Sequence, residues 1–264
     1  MPAALSRRRT WAFYHRLVRR GARLELVAGA LQPDALAVVV CLWHRPERIH
    51  DILQILDAQS SKRSVRLVLW NNDASNTRLY VEAIASHRIE GSLSSVELVT
   101  SRNVGGIGRF LAARELVRTG YSGPFIMMDD DQDFGSGFVD DLLAASGDRR
   151  IAGVWAWWND RAYWNRTQVT VSGEKATYVG TGGSTCDSSL VLKDAFFLDL
   201  PDRFLFVEDI WMSQVALQNG WSLSMVDSSF EFVLGDFDQA HTLAQLKHDF
   251  YLWLQEPGNV PILS

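Results

Sequence analysis

The sequence predicts an α/β protein in which helices wrap a mostly parallel sheet, and three observations carry that expectation. Through the first half, short apolar runs alternate with segments of helical periodicity in the order β-α-β-α-β-α-β. The clearest run, Leu36–Leu42, is apolar and β-branched throughout, as a strand covered on both faces must be. No stretch rich in Pro, Gly or Ser divides the halves, so a single domain with two lobes is expected.

Taken in order, the first strand (LAVVVCL) is followed by Pro46–Ala58, where Ile49, Ile52, Leu53 and Leu56 recur at helical spacing. Val65–Trp70 is a second strand ending in the loop Asn71–Asn76, and Arg78–Ser86 a second helix. Val96–Thr100 gives a third strand, Arg109–Arg118 a helix, and Pro124–Met128 (PFIMM) a fourth strand. Beyond it the character changes to Trp-rich and Gly-rich segments, Val154–Trp164 and Gly180–Ser184, before a helix near Ile210–Asn219.

Composition narrows the function classes. With 264 residues, 47% hydrophobic and 22% charged, the chain can bury a sizeable core. A net charge of -5 excludes a global basic field for nucleic acid. Cys41 and Cys186 are its only cysteines and lie far apart, which fits a reducing, cytoplasm-like compartment rather than a disulfide or zinc-thiolate framework. No apolar run reaches the roughly 18 residues of a membrane span. The first 24 residues are the outlier, since they hold Arg7, Arg8, Arg9, Arg16, Arg19, Arg20 and Arg23 and no acid. Two readings fit them: an amphipathic helix resting on anionic lipid, or a helix packed on the domain with its arginines in water.

Ligands of an open parallel sheet bind beyond the carboxyl ends of its strands. Asp129, Asp130, Asp131 and Asp133 follow the fourth strand at such an end. Adjacent carboxylates there repel one another, and a hard divalent cation with phosphate oxygens would offset the repulsion. In extended backbone Asp129 and Asp131 would point the same way, suiting one metal.

This run resembles the DxD motif of glycosyltransferases with the GT-A fold, a Rossmann-like α/β architecture. Over about residues 36–245 the layout resembles family 2, the inverting group. Trp43–Ile49 (WHRPERI) resembles its first-strand loop and Trp70–Ser75 (WNNDAS) its second-strand loop. Ser101–Phe110 (SRNVGGIGRF) resembles its diphosphate segment, Thr181–Ser184 (TGGS) its glycine loop near the acceptor, and Val207–Trp211 (VEDIW) the acidic motif holding its catalytic base. Asn71 and Asn72 stand where aspartates are common, and no QxxRW-type motif follows Trp211, so the resemblance is to non-processive members.

The resemblance implies transfer of one sugar from a nucleotide-diphosphate sugar, by family habit a UDP-sugar, to an acceptor hydroxyl in glycan or cell-surface polysaccharide synthesis. The implied partners are that donor and a carbohydrate or lipid-linked saccharide acceptor, with no nucleic acid. The implied cofactor is Mn²⁺ or Mg²⁺, held by Asp129, Asp131 and His241. Leu42, His44, Arg45, Asn71, Asn72, Asp73, Asn103, Gly105, Gly106, Arg109, Asp129 and Asp130 would line the nucleotide sugar. Trp157, Gly182, Gly183 and Trp211 would line the acceptor. Asp209 is the expected base, with Glu208 supporting it and Asp209 also a plausible N-cap. Residues 1–33 form a basic helical segment on this reading, 34–135 the nucleotide half and 136–264 the acceptor half.

Rivals follow from the same residues. Gly106-Ile107-Gly108 hints at the dinucleotide fingerprint of an oxidoreductase, but Leu111 stands at its third glycine and the segment follows the third strand rather than the first. A dehalogenase-type phosphatase needs Thr or Val two residues after its second aspartate, where this chain has Asp133. An inactive nucleotide-sugar or glycan-binding module would have no use for Glu208-Asp209.

Overall fold

A computed structural model describes residues 3–160, 162–233 and 243–263. Helix α1 (Ala3–Arg20) and strand β1 (Glu25–Gly29) open the chain. The alternating half follows as β2 (Leu36–Leu42), α2 (Ile49–Asp57), β3 (Val65–Asn71), α3 (Thr77–Ser86), β4 (Leu93–Thr100), α4 (Gly108–Arg118) and β5 (Pro124–Met128). The remainder comprises β6 (Gln132–Phe134), α5 (Phe138–Ala145), β7 (Arg150–Gly153), β8 (Ala156–Asn159), β9 (Arg166–Gln168), β10 (Tyr178–Val179), β11 (Ser184–Asp187), α6 (Asp194–Leu198), α7 (Glu208–Gln218), β12 (Ser222–Met225), β13 (Phe230–Phe232) and α8 (Ala244–Leu254).

Eight strands form one sheet in the order β1-β4-β3-β2-β5-β11-β7-β12. The contacts β4–β3, β3–β2, β2–β5 and β7–β12 are parallel, so the sheet is mostly parallel as expected. All seven residues of β2 are buried because helices cover both faces. Its alternate residues Ala37, Val39 and Cys41 join one core, whereas Leu36, Val38, Val40 and Leu42 join the other. The second core takes the apolar faces of α2, α3 and α5, and the first takes α1, α4, α6, α7 and α8.

Two antiparallel strands were not legible in the sequence. β11 lies between β5 and β7 and runs against both. β1, within the segment expected to be only a basic helix, pairs antiparallel with β4 and edges the sheet. Helix α1 joins the same body: Tyr14 and Val18 are buried, and the Tyr14 hydroxyl donates to the carbonyl of Phe197 at 2.8 Å. Its apolar side therefore faces protein. Tyr14→Ala should lower stability by about 3–5 kcal/mol, through a large cavity and an unpaired carbonyl, and thermal unfolding would register the loss. None of the described helices is long and apolar enough to cross a membrane.

Candidate active site

Strands β2 to β5 run parallel, so the segments after Leu42, Asn71, Thr100 and Met128 gather along one sheet edge. The second half brings Gly182 and the first turn of α7 to the same place. Here the acidic run departs from its expected geometry. It turns at Asp130–Asp131 instead of continuing extended, and arginines compensate much of its charge. Arg109 donates to Asp129 at 2.8 Å. Arg45 donates to Asp130 at 3.0 Å and lies 3.8 Å from Asp131, while Arg48 pairs with Asp133 and donates to the Asp130 carbonyl at 3.2 Å.

Asp130, expected among the donor contacts, instead anchors the loop after β2 by also accepting from the Trp43 amide at 3.1 Å. Burial pushes its pKa up to about 6, against the pull of that amide and of Arg45. Asp129 and Asp131 remain about one-third exposed at 34% each. Burial and then the Asp129 carboxylate raise the pKa of Asp131, so negative charge concentrates between these two groups. Two accessible, mutually repelling carboxylates at a strand end are a suitable donor set for Mg²⁺ or Mn²⁺ completed by phosphate oxygens. Among the described residues no group of three His, Cys, Asp or Glu converges at metal-binding distances. His241, the expected third ligand, lies outside the described residues.

The glycine-rich turn joins the acidic run to α7. A Cβ on Gly106 would fall on the Glu208 carboxylate, and one on Gly182 would fall on Asp129 and Gln132. Glycine at these two positions lets backbone from both halves close on the carboxylates. Arg109 sits between them, its Nε donating to the Gly106 carbonyl at 3.1 Å and lying 3.8 Å from Glu208. Burial opposes its charge, yet Asp129 and Glu208 more than compensate and its pKa rises.

Glu208 and Asp209 occupy the first turn of α7 behind Val207, so Asp209 is not the N-cap that its sequence position suggested. Their side chains part company. Glu208 turns toward Gly106, Arg109 and Asp129; burial, partly offset by Arg109, raises its pKa to about 7. Asp209 turns toward the second half, where Tyr178 donates to it at 2.5 Å and Lys247 at 3.4 Å. Burial works against its ionisation, but Lys247, Tyr178 and the Ile210 amide outweigh it and hold the pKa below the ordinary carboxylate value. One carboxyl is thus poised near neutrality and its neighbour held ionised, a separation typical of acid–base sites.

A linkage prediction follows for Glu208. Its folded pKa lies above the unfolded 4.5, so the fold holds an extra proton between 4.5 and about 7. That stabilisation is complete below pH 4.5 and lost as pH rises through 7. Glu208→Gln should therefore raise stability above pH 7, by up to the order of 3 kcal/mol, and leave it unchanged near pH 4. Denaturant unfolding across that range would record it.

Other expected residues fall differently. The side chain of Asn71 bonds Thr77 and the Asp73 amide, and that of Asn72 bonds Trp70, Val104 and the Gly105 carbonyl. Both amides therefore brace the loops rather than face a base. Leu42 is sealed in the core, its carbonyl accepting from the Asn72 amide. His44 has a positive φ of 60° and packs on Trp43. The Asn103 side chain accepts from Gly105, fixing the turn. Trp211, expected at the acceptor, is fully buried and donates to the Phe196 carbonyl, so it belongs to the core. Trp157, on β8, stacks on Trp155 and is covered by Arg166, and Gly183 follows Gly182 into β11. Tyr178 and Lys247 were missed, since nothing local marks residues that meet Asp209 across 31 and 38 positions.

The strand order and the helices on both faces make an α/β fold that is shared with a solved glycosyltransferase. The chain matches a mannosyltransferase, PcManGT from Pyrobaculum calidifontis, solved with GDP-mannose and Mn²⁺; 12% of residues are identical over 92% of this chain and 70% of that one, at a TM-score of 0.51. A bifunctional glycosyltransferase, WbbM, aligns over 70% of this chain and 38% of its own length with 15% identity, at a TM-score of 0.41. No protein-family model and no curated protein matches the sequence.

Proposed function

We propose that this chain is a metal-assisted, inverting glycosyltransferase that moves one sugar from a nucleotide-diphosphate sugar to an acceptor hydroxyl. The observation that carries the reading is the meeting of Asp129, Asp131 and Glu208 around Arg109, with Asp209 next to Glu208 on α7 but turned toward Tyr178 and Lys247, on a fold shared with a solved glycosyltransferase. The fold neighbour's own ligands, GDP-mannose and Mn²⁺, support a nucleotide sugar and a divalent ion in this type of scaffold.

In this reading Asp129 and Asp131 would hold the ion, which would supply positive charge to offset that of the departing diphosphate. Gly105, Gly106 and Asn103 shape the turn beside that diphosphate, and Arg109 supplies fixed positive charge behind it. Asp209 is the base because it alone of the pair faces the acceptor half; Glu208 is closed in by Gly106 and Arg109. As the acceptor oxygen bonds to the anomeric carbon, the bond from that carbon to the diphosphate breaks and the acceptor proton passes to Asp209. Tyr178 and Lys247 orient the carboxylate. Arg45, His44 and Asp73 border the donor loops, and Gly182, Gly183 and Trp157 the acceptor side.

The test is a panel of nucleotide sugars, UDP-linked ones first, incubated with Mn²⁺ and a range of saccharide acceptors. One donor should release its nucleoside diphosphate and pass its sugar on with the opposite anomeric configuration. Retention of configuration would overturn the single-displacement chemistry, and no turnover with any donor would favour an inactive binding module.

A further inference from the structure

The outer face of α1 has no role in the chemistry above. Along that helix Trp11, Tyr14 and Val18 recur at i, i+3 and i+7 and pack toward the body. The opposite stripe reads Arg9, Ala12, Phe13, Arg16, Arg19 and Arg20, at i, i+3, i+4, i+7, i+10 and i+11, and all its arginines are exposed. Where the stripe meets the segment after β4 it borders a cavity of about 450 Å³ lined by Arg9, Ala12, Phe13, Arg16 and Arg102. The Arg16 and Arg102 guanidinium groups lie 5.2 and 5.5 Å from the Phe13 ring centre. Among the described residues no carboxylate lines this cavity.

We propose that this cavity and its flanking arginine stripe bind the phosphate headgroups of an anionic membrane surface, with α1 lying flat and not inserting. Guanidinium forks suit phosphate oxygens, and Phe13 stiffens two of them for that contact. A single phosphate would occupy the cavity alone, whereas the stripe continues to Arg19 and Arg20, beyond its lining. The charge is one-sided: the chain's net charge is -5 although its first 24 residues carry seven arginines and no acid. Such asymmetry suits a planar anionic surface, because the acidic remainder repels a polyanion that would wrap the molecule. With Trp11, Tyr14 and Val18 facing protein, the helix lacks an apolar face for the bilayer, so attraction is electrostatic and sensitive to salt. Arg102 immediately precedes Asn103, so the bound surface would lie beside the candidate donor loops.

The test uses the full chain with vesicles of phosphatidylcholine alone or mixed with phosphatidylglycerol. Sedimentation should show binding only to the anionic vesicles, weakening at least tenfold between 0.05 and 0.3 M salt. Arg16→Gln combined with Arg102→Gln should reduce it at least tenfold while the thermal midpoint stays unchanged. Equal binding to both vesicle types, undiminished binding by the variant, or equally tight binding to duplex DNA would overturn the proposal. Calorimetry with inorganic pyrophosphate is the second arm; binding there without vesicle binding would overturn the assignment to lipid. Neither arm depends on sugar transfer, so failure of the proposed activity would leave the result standing.

Discussion

Replacing Asp209 with Asn should lower turnover by a factor on the order of 10²–10⁴, the usual contribution of a positioned proton acceptor. The amide keeps one oxygen, which can still accept from the Ile210 amide and hold the first turn of α7, while its NH2 takes the place of the oxygen that accepted from Tyr178 and Lys247. Donor affinity should survive, because Asp129, Asp131 and Arg109 lie on the other side of the α7 turn. The loss should fall on kcat more than KM, since proton removal matters mainly in the transition state. Glu208→Gln provides the contrast: it faces the diphosphate turn, so its effect should include weaker donor binding and the pH-dependent stabilisation described above. Near-wild-type turnover in Asp209→Asn would move the base to Glu208.

Removal of divalent ions should have the other large effect. EDTA should abolish transfer, and Mn²⁺ or Mg²⁺ should restore it. Asp131→Ala should mimic that loss: this carboxylate is accessible, shares its field with Asp129 and leans on Arg45 only at 3.8 Å. Asp130→Ala should behave differently, costing stability by freeing the Trp43 amide and Arg45 from their partner. Full activity of Asp131→Ala in EDTA would remove the ion from the mechanism.

What the sequence made legible divides by the range of the interactions involved. Strands β2, β3, β4 and β5 and helices α2, α3 and α4 follow from periodicity that each segment carries in itself. Their parallel order brought the acidic run and the glycine turn to one edge, as expected. β11 escaped because Thr185 and Cys186 look no more strand-like than a loop; pairing on both sides makes them a strand. The acidic run illustrates the same limit within the site. Carboxylate repulsion was a sound local argument, but Arg45, Arg48 and Arg109 come from 85, 85 and 20 positions away and absorb much of that charge. Asn71, Asn72 and Trp211 were placed at the site by motif alone, whereas burial and the bonds of the two amides give them structural work.

Calorimetric titration of nucleoside diphosphates into the full chain, with Mn²⁺ and then with EDTA, tests the central claim most directly. If Asp129 and Asp131 hold an ion that bridges to a diphosphate, at least one nucleotide, UDP or GDP among those tried, should bind with Mn²⁺ and lose at least tenfold in affinity without it. Asp131→Ala should then bind equally weakly in both conditions, because its carboxylate acts only through the ion. Binding of equal strength with and without Mn²⁺, or an Asp131→Ala variant that keeps the full Mn²⁺ enhancement, would contradict the account.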